Sequence, residues 1–223
     1  MLDLNPQLRY DLAMNVIAVL SSAVPGSEAE LRGSLAEGSA DIYSDIDIRW
    51  QLPDASFVDG VTRLNEYLSS IGEVESVRID PDLQRSEKHR LIYVQMEDVP
   101  LFWRVDIEAF AESINKDPSY DLDNELARGV EWSVTRSALM NAVGAIKGLL
   151  RNASKDDIQA GLDRAFIRIG HPVSRHGLRS QILELVSLVE EMDPEQTTIA
   201  RRIRALYAGA FSPGCVEEGR NRQ

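Results

Sequence analysis

Apolar residues in the first third of the chain repeat with two different periods. Across Pro6–Ala23 they recur every three or four residues, which predicts an amphipathic helix that ends before Pro25. From 44 to 51, apolar and polar residues alternate, which predicts a strand with one buried face and one polar face. The same criteria predict a short strand at 30–33 and a second helix over 57–71.

The remaining pattern divides the chain into a mixed half and a helical half. The polar segment 80–89 is expected to be exposed, and after Asp117 only helical spacing is found. We therefore predict an α+β fold, with a mixed β-sheet and flanking helices in residues 1–117, a helical bundle domain in 118–211 and a flexible tail in 212–223. Further strands are predicted at Val74–Ile79, 91–96 and 101–110, and further helices at 122–150, 158–169, Leu178–Met192 and 199–210.

Composition narrows the class of protein. The net charge is −12 over 223 residues, which opposes nucleic-acid binding, because a polyanion is bound by clustered Lys and Arg. The single cysteine, Cys215, excludes an intrachain disulfide. No signal segment and no apolar run of about 20 residues is present. We expect a soluble, cytoplasmic protein without a membrane segment, and a homodimer is compatible with the sequence.

Two aspartates in the alternating strand carry the first chemical signal. Asp45 and Asp47 are two residues apart, so on a strand both carboxylates lie on one face while Ile46 and Ile48 point to the core. Adjacent carboxylates repel each other unless a hard cation neutralises them, and magnesium is the natural candidate. This pair predicts a divalent metal site.

A second strand offers further carboxylates. In 101–110, the alternation places Arg104, Asp106 and Glu108 on one face. Asp106 would complete a three-carboxylate cluster, and two magnesium ions about 4 Å apart would serve an in-line displacement. Glu108 is a candidate general base, although it could exchange roles with Asp106 or simply pair with Arg104.

A glycine-serine turn precedes the aspartates. Gly33 lets backbone amides approach a phosphate closely, and the Ser34 hydroxyl adds a donor. A helix that starts near Ser34 would strengthen this anion site. The glycine spacing from Gly33 to Gly38 is that of a P-loop, but Ser39-Ala40 stands where Lys-Ser/Thr is required, which excludes a Walker-type ATPase.

With Gly33-Ser34, a ten-residue spacer and Asp45-Ile46-Asp47, the segment 31–48 resembles the DNA polymerase beta-type nucleotidyltransferase superfamily. A mixed sheet followed by a helical domain is similar, within it, to bacterial antibiotic nucleotidyltransferases that adenylylate aminoglycosides or related drugs. The resemblance implies that Gly33 and Ser34 bind a triphosphate, that Asp45 and Asp47 are metal ligands and that Asp106 is the third carboxylate. In similar enzymes a lysine of the helical domain reaches the phosphates, a role that Lys147 would take here; its alternative is a solvated charge on a helix face.

The expected reaction is therefore transfer of a nucleoside monophosphate, AMP from ATP, to a hydroxyl of a small acceptor, with release of pyrophosphate. The helices would form the other wall of the substrate cleft. The net negative charge of the chain favours a cationic acceptor such as an aminoglycoside, and hence a role in antibiotic resistance. An antitoxin-type or regulatory protein that nucleotidylates or binds a partner protein is the alternative, and transfer to RNA ends is disfavoured by the lack of a basic face.

Some conspicuous residues receive ordinary interpretations. Trp132 is expected in core or interdomain packing rather than in a stacking platform. Arg32, Arg49 and Arg104 would neutralise triphosphate charge or pair with nearby acids.

Overall fold

A computed structural model describes residues 4–116, 119–129 and 133–211. The chain divides into two compact units, with a division between 132 and 133. The predicted boundary after residue 117 lies earlier, because the segment 119–129 is hydrogen-bonded to the first unit. The Gly129 amide donates to the Pro81 carbonyl and the Arg85 amide donates to the Ala127 carbonyl, both at 2.8 Å. Trp132, Cys215 and the predicted tail lie outside the described residues.

The first unit is a five-stranded sheet with helices packed on its apolar face. Short 3-10 turns occur at Asp54–Ser56, Glu112–Lys116 and Glu125–Ala127. Its helices and strands are, in chain order, α1 (Pro6–Ala23), β1 (Glu28–Leu31), α2 (Gly33–Ala36), β2 (Ile46–Leu52), α3 (Phe57–Thr62), α4 (Leu64–Leu68), β3 (Val74–Ile79), β4 (His89–Met96) and β5 (Val105–Ala111).

The sheet is mixed, with strand order β1-β2-β5-β4-β3. The central strands β2 and β5 run parallel, while every other neighbouring pair is antiparallel. Two parallel strands need a long crossover connection, and here that connection contains α3, α4, β3 and β4. The expected α+β class, a mixed sheet followed by helices, is confirmed.

Strict alternation on β2 gives the sheet its two faces. Ile46, Ile48, Trp50 and Leu52 are each fully buried, whereas the residues between them are partly or fully exposed. Helix α1 presents a fully buried stripe to this unit, which consists of Ala13, Val16 and Leu20. The apolar face therefore forms the core and leaves the polar face of β2 for chemistry.

The loop between α2 and β2 is held in place by two side chains from other elements. Arg9 of α1, only 2% exposed, donates to the backbone carbonyls of Asp41 and Ser44, the latter at 3.1 Å. Trp103, just before β5, donates its indole N–H to the carbonyl of Ile42 at 3.0 Å. These bonds fix the approach of the chain to β2.

Several predicted elements differ from the structure in extent. The helix expected over 57–71 is broken at Arg63, whose φ and ψ of −90° and 4° lie outside the helical range. The segment 101–104 forms a turn before β5 rather than strand. Within 80–89, Leu83 is 3% exposed and Ser86 is fully buried, because the segment 119–129 covers this stretch.

Within residues 133–211, the second unit contains four α-helices and a short 3-10 turn at Pro194–Gln196. α5 packs against each of the other three, and it starts at Val134 rather than at 122. Ser133 caps its first turn by accepting a hydrogen bond from the Arg136 amide. Among the described residues, no helix combines the length and apolarity that crossing a membrane would require. The helices are α5 (Val134–Leu150), α6 (Lys155–Arg168), α7 (Leu178–Met192) and α8 (Thr197–Phe211).

Replacing Arg9 tests whether the buried guanidinium holds the loop. Arg9→Met keeps the aliphatic stem but leaves the Asp41 and Ser44 carbonyls without this donor. We expect the free energy of unfolding, measured by urea denaturation, to fall by about 2–3 kcal/mol. A change below about 0.5 kcal/mol, the range typical of surface substitutions, would contradict this role.

Candidate active site

The polar face of the central strands brings the predicted carboxylates together. Asp47 of β2 and Asp106 of β5 are direct partners in the parallel register, so their side chains lie on the same face. Asp45 immediately precedes β2. The next residue, Ile46, donates its amide to the Arg104 carbonyl at 2.9 Å, so the pairing of β2 with β5 begins directly after Asp45. The structure thus places the three aspartates at one end of the β2-β5 pair.

Gly33 lies directly against Asp47. Its φ is +59°, and a Cβ at this position would be only 2.5 Å from Asp47 Oδ2. Both the backbone conformation and the close approach therefore require glycine. As expected, a helix begins here, although α2 is only four residues long. Ser34 is its second residue, so the glycine-serine turn adjoins the aspartates.

Arg104 forms a two-bond ion pair within the site. Its Nε and Nη2 donate to the two carboxylate oxygens of Asp106, each at 2.5 Å. Burial opposes the charge of the guanidinium, but the hydrogen bonds to Asp106 and the charges of Asp106 and Asp45 raise the pKa of Arg104 above its usual value. Arg104 therefore binds Asp106 rather than Glu108, the partner that the sequence offered as an alternative.

Glu108 is held by two other side chains. Arg32 Nη1 contacts Glu108 Oε2, and His89 Nε2 lies 3.3 Å from Glu108 Oε1. The hydrogen bond with His89 holds the pKa of Glu108 below its usual value, and the positive charge of Arg32 acts in the same direction. Glu108 is therefore an ionised carboxylate that links Arg32 to the sheet.

Two cavities open on or beside this face. A cavity of about 190 Å³ is lined by Arg32, Asp47, Tyr93, Asp106 and Glu108, among others. Burial, followed by the charge of Asp80, raises the pKa of Tyr93 to about 12, so this phenol stays protonated at neutral pH.

The second cavity is larger, about 350 Å³, and includes residues further along the same strands. It is lined in part by Glu28, Glu30, Arg49, Gln51 and Phe110. Arg49 and Gln51 are the register partners of Glu108 and Phe110, and the Arg49 guanidinium lies 4.2 Å from the centre of the Phe110 ring. The cavity therefore begins at Arg49, the next residue after Asp47 on this face of β2.

The aspartates have the chemistry of magnesium ligands, since hard cations prefer carboxylate oxygens. In the described parts of the chain, however, no three His, Cys, Asp or Glu side chains are arranged to hold a metal ion. Asp45 and Asp47 fit such an ion by donor type and position. Asp106 does not fit in this arrangement, because Arg104 takes both of its oxygens.

Sequence reasoning missed His89 and Tyr93. His89 was included in a segment expected to be exposed, yet it begins β4 and its side chain is 12% exposed. The available signal was alternation on β4, which places His89, Leu91 and Tyr93 on one face. Lys147 lies half-buried in the last turn of α5 in the helical unit, and its contact with nucleotide stays a prediction.

Comparisons with known proteins give fold-level likenesses only. No protein-family model matches this chain, and no curated protein does. Among solved structures, the polymerase core of TRAMP, an RNA surveillance complex, is 12% identical with a TM-score of 0.35 over 92% of this chain and 59% of that one. The GLD-2/RNP-8 complex is 12% identical, with a TM-score of 0.34 over 81% and 72%.

A third solved structure is that of a cytoplasmic RNA terminal U-transferase. It is 17% identical, with a TM-score of 0.35 over 80% of this chain. This chain spans 59% of the TRAMP polymerase core and 46% of the U-transferase.

Substituting two glycines separates backbone strain from the contact with Asp47. Gly38→Ala is the matched control, because Gly38 also has positive φ, at +70°, but no atom lies within 4 Å of its added Cβ. In each variant the free energy of unfolding should fall by about 1–2 kcal/mol, because alanine is strained in the left-handed backbone conformation. Gly33→Ala should lose about 1–3 kcal/mol more, because its Cβ overlaps Asp47. Equal losses, measured by urea denaturation, would contradict the close packing of Gly33 on Asp47.

Proposed function

We propose that this chain is a magnesium-dependent nucleotidyltransferase that transfers a nucleoside monophosphate, AMP from ATP, to a hydroxyl of a small acceptor. One observation carries the proposal. Asp47 and Asp106 are side by side on parallel strands, and the Gly33-Ser34 turn lies against Asp47. An acidic group beside a turn of close backbone approach suits a metal-bound triphosphate better than it suits a purely structural role.

In this proposal the triphosphate binds at the turn. Gly33 allows its backbone amide to approach an oxygen, and Ser34 adds a hydroxyl donor. Arg32 supplies positive charge beside them, and Glu108 and His89 fix its position on the sheet. Lys147 would add a second cation from the helical unit. These groups would compensate for an overall charge of −12 that otherwise repels a nucleotide.

Asp45 and Asp47 would hold the magnesium ion, and Asp106 would become the third carboxylate of a two-ion site once Arg104 releases it. Bound magnesium would neutralise the carboxylates and polarise the phosphate that is attacked. The acceptor oxygen would form a bond to the α-phosphorus while the bond to the leaving pyrophosphate breaks. This reaction belongs to the class of nucleotidyl transfer.

Glu108 would accept the proton of the acceptor hydroxyl. Its ionised state suits an acceptor of protons, but its lowered pKa weakens it as a base. The contacts with Arg32 and His89 support a positioning role at least as well. The two roles differ in their kinetic signature, because a lost base lowers kcat whereas a displaced Arg32 raises KM for the nucleotide.

The acceptor would bind in the larger cavity beside the carboxylates. The carboxylates of Glu28 and Glu30 outweigh the positive charge of Arg49 there, while Gln51 offers an amide and Phe110 an apolar surface. This lining suits a small polar cation, of which an aminoglycoside is one example, and a role in antibiotic resistance would follow from such an acceptor. The exclusion of nucleic acid as a partner stays a prediction.

The regulatory, antitoxin-type alternative also stays a prediction. A protein partner that copurifies with the chain in a fixed ratio, together with no release of pyrophosphate from any small hydroxyl compound, would favour it.

Nucleotide binding is expected to depend on the metal. ATP with magnesium at about 100 times its dissociation constant should stabilise the protein by about 2.7 kcal/mol, which corresponds to roughly 5–10 °C in Tm for a chain of this size. ATP with a chelator should raise Tm far less, because the carboxylates then repel the triphosphate. Thermal unfolding with and without EDTA measures the difference. Equal shifts would contradict the metal-dependent site.

Asp47→Asn is expected to remove transfer. The amide keeps the shape of the side chain but loses the charge that binds the metal, so activity should fall by about 100-fold or more, a loss typical of removing a key electrostatic group. The assay is pyrophosphate release from labelled ATP across a panel of hydroxylated amines. Asp59→Asn is the matched control, because Asp59 is exposed on α3, which packs on the apolar face of the sheet and not on the face that carries the aspartates.

The acceptor with which the wild-type protein releases pyrophosphate identifies the substrate class. An Asp47→Asn variant that keeps wild-type activity, with a normal far-UV circular dichroism spectrum, would reject the role of Asp47.

A further inference from the structure

The position of Arg104 has a consequence for metal binding. Both oxygens of Asp106 are bonded to Arg104, at 2.5 Å each, and the guanidinium also lies close enough to Asp45 to interact with its charge. The positive group therefore sits among the carboxylates, where a divalent cation would bridge them. We propose that Arg104 is an exchangeable internal counter-ion, which competes with a divalent metal for Asp106.

The competition follows from the number of acceptor sites on one carboxylate. A fork-shaped guanidinium that binds both oxygens occupies one lone pair on each of them, and two positive charges on one carboxylate repel each other. Metal binding to Asp106 is thus weakened until Arg104 releases the carboxylate.

Further contacts hold the Arg104 side chain in place when no metal is bound. Its guanidinium lies 4.7 Å from the centre of the Tyr93 ring, and the side chain is only 27% exposed. Tyr93 is the register partner of Asp106 on β4. A half-buried cation that contacts an aromatic face and the Asp106 carboxylate offsets the repulsion of the acidic cluster. The protein therefore folds without depending on metal, and metal binding to the third carboxylate is weakened in exchange.

A triphosphate provides a second anionic partner for Arg104. Guanidinium groups bind phosphate oxygens in the same two-bond geometry as carboxylates. A nucleotide bound at the Gly33-Ser34 turn would thus draw Arg104 away from Asp106 and free that carboxylate for metal. This step rests on the proposed function, whereas the competition between Arg104 and metal does not.

Manganese binding measures the competition without any enzymatic assay. Electron paramagnetic resonance of free Mn²⁺ gives the affinity of the nucleotide-free protein, and Arg104→Gln should bind Mn²⁺ about tenfold more tightly than wild type, the lower end of the effect that a neighbouring cation has on a carboxylate. Arg63→Gln is the matched control. It removes the same charge from the same unit, but Arg63 pairs with Glu66 on α4, so its Mn²⁺ affinity should stay at the wild-type value.

A double variant shows whether Asp106 is the residue released. Adding Asp106→Asn to Arg104→Gln should abolish the gain, because the freed carboxylate is then absent. Thermal unfolding gives an independent readout: in EDTA, Arg104→Gln should have a lower Tm than wild type, and Mn²⁺ should restore it by a larger increment than in wild type. If Arg104→Gln does not fold, Arg104→Lys keeps the charge without the fork and should bind Mn²⁺ with intermediate affinity.

The outcomes separate this inference from the proposed function. Equal Mn²⁺ affinity in wild type and Arg104→Gln, with binding retained in both, overturns the competition and leaves the transferase proposal standing. A gain that survives in the double variant also overturns it. Absence of Mn²⁺ binding in every variant contradicts the metal site itself, and with it both proposals.

Discussion

The parallel pairing of β2 with β5 is the constraint on which the rest of the structure depends. This register makes Asp47 and Asp106 neighbours, although 58 residues separate them along the chain. The apolar side chains that alternate with them are buried under helices, so the pair cannot shift by one residue without turning its carboxylates into the core. The acidic site is therefore fixed by the same packing that forms the fold.

Positive charge is placed locally in a chain that is acidic overall. Arg104 neutralises Asp106, while Arg32 and His89 hold Glu108. The hydrogen bond with His89 and the charge of Arg32 hold the pKa of Glu108 below its usual value, so Glu108 is ionised at neutral pH. In the proposed site, this face would accept either a metal ion or an anionic group, depending on which of these ion pairs opens.

The sequence predicted those features that depend on local patterns. The bounds of α1, β3 and α7 agree with the structure, because amphipathic periodicity and flanking breakers are local signals. The alternation around Asp47 and Asp106 correctly placed the aspartates on a polar face. The grouping of these residues into a transferase site stays a proposal.

The missed features depend on contacts that are distant along the chain. Nothing near Arg104 indicates whether it pairs with Asp106 or with Glu108, since both are two or four residues away on the same face. The choice is made by His89 and Arg32, which approach Glu108 from other elements. The α-helix predicted to begin at residue 122 is likewise not formed in the segment 119–129, because the backbone of this segment is hydrogen-bonded to residues 81–85 instead.

The most direct test of the central claim is a crystal structure of the chain with Mn²⁺ and a non-hydrolysable ATP analogue. Anomalous scattering locates the metal without reference to any assumed chemistry. The account predicts an anomalous peak coordinated by the carboxylates of Asp45 and Asp47, with the triphosphate on the Gly33-Ser34 turn. A metal and nucleotide bound together elsewhere on the protein, with these carboxylates uncoordinated, would contradict it.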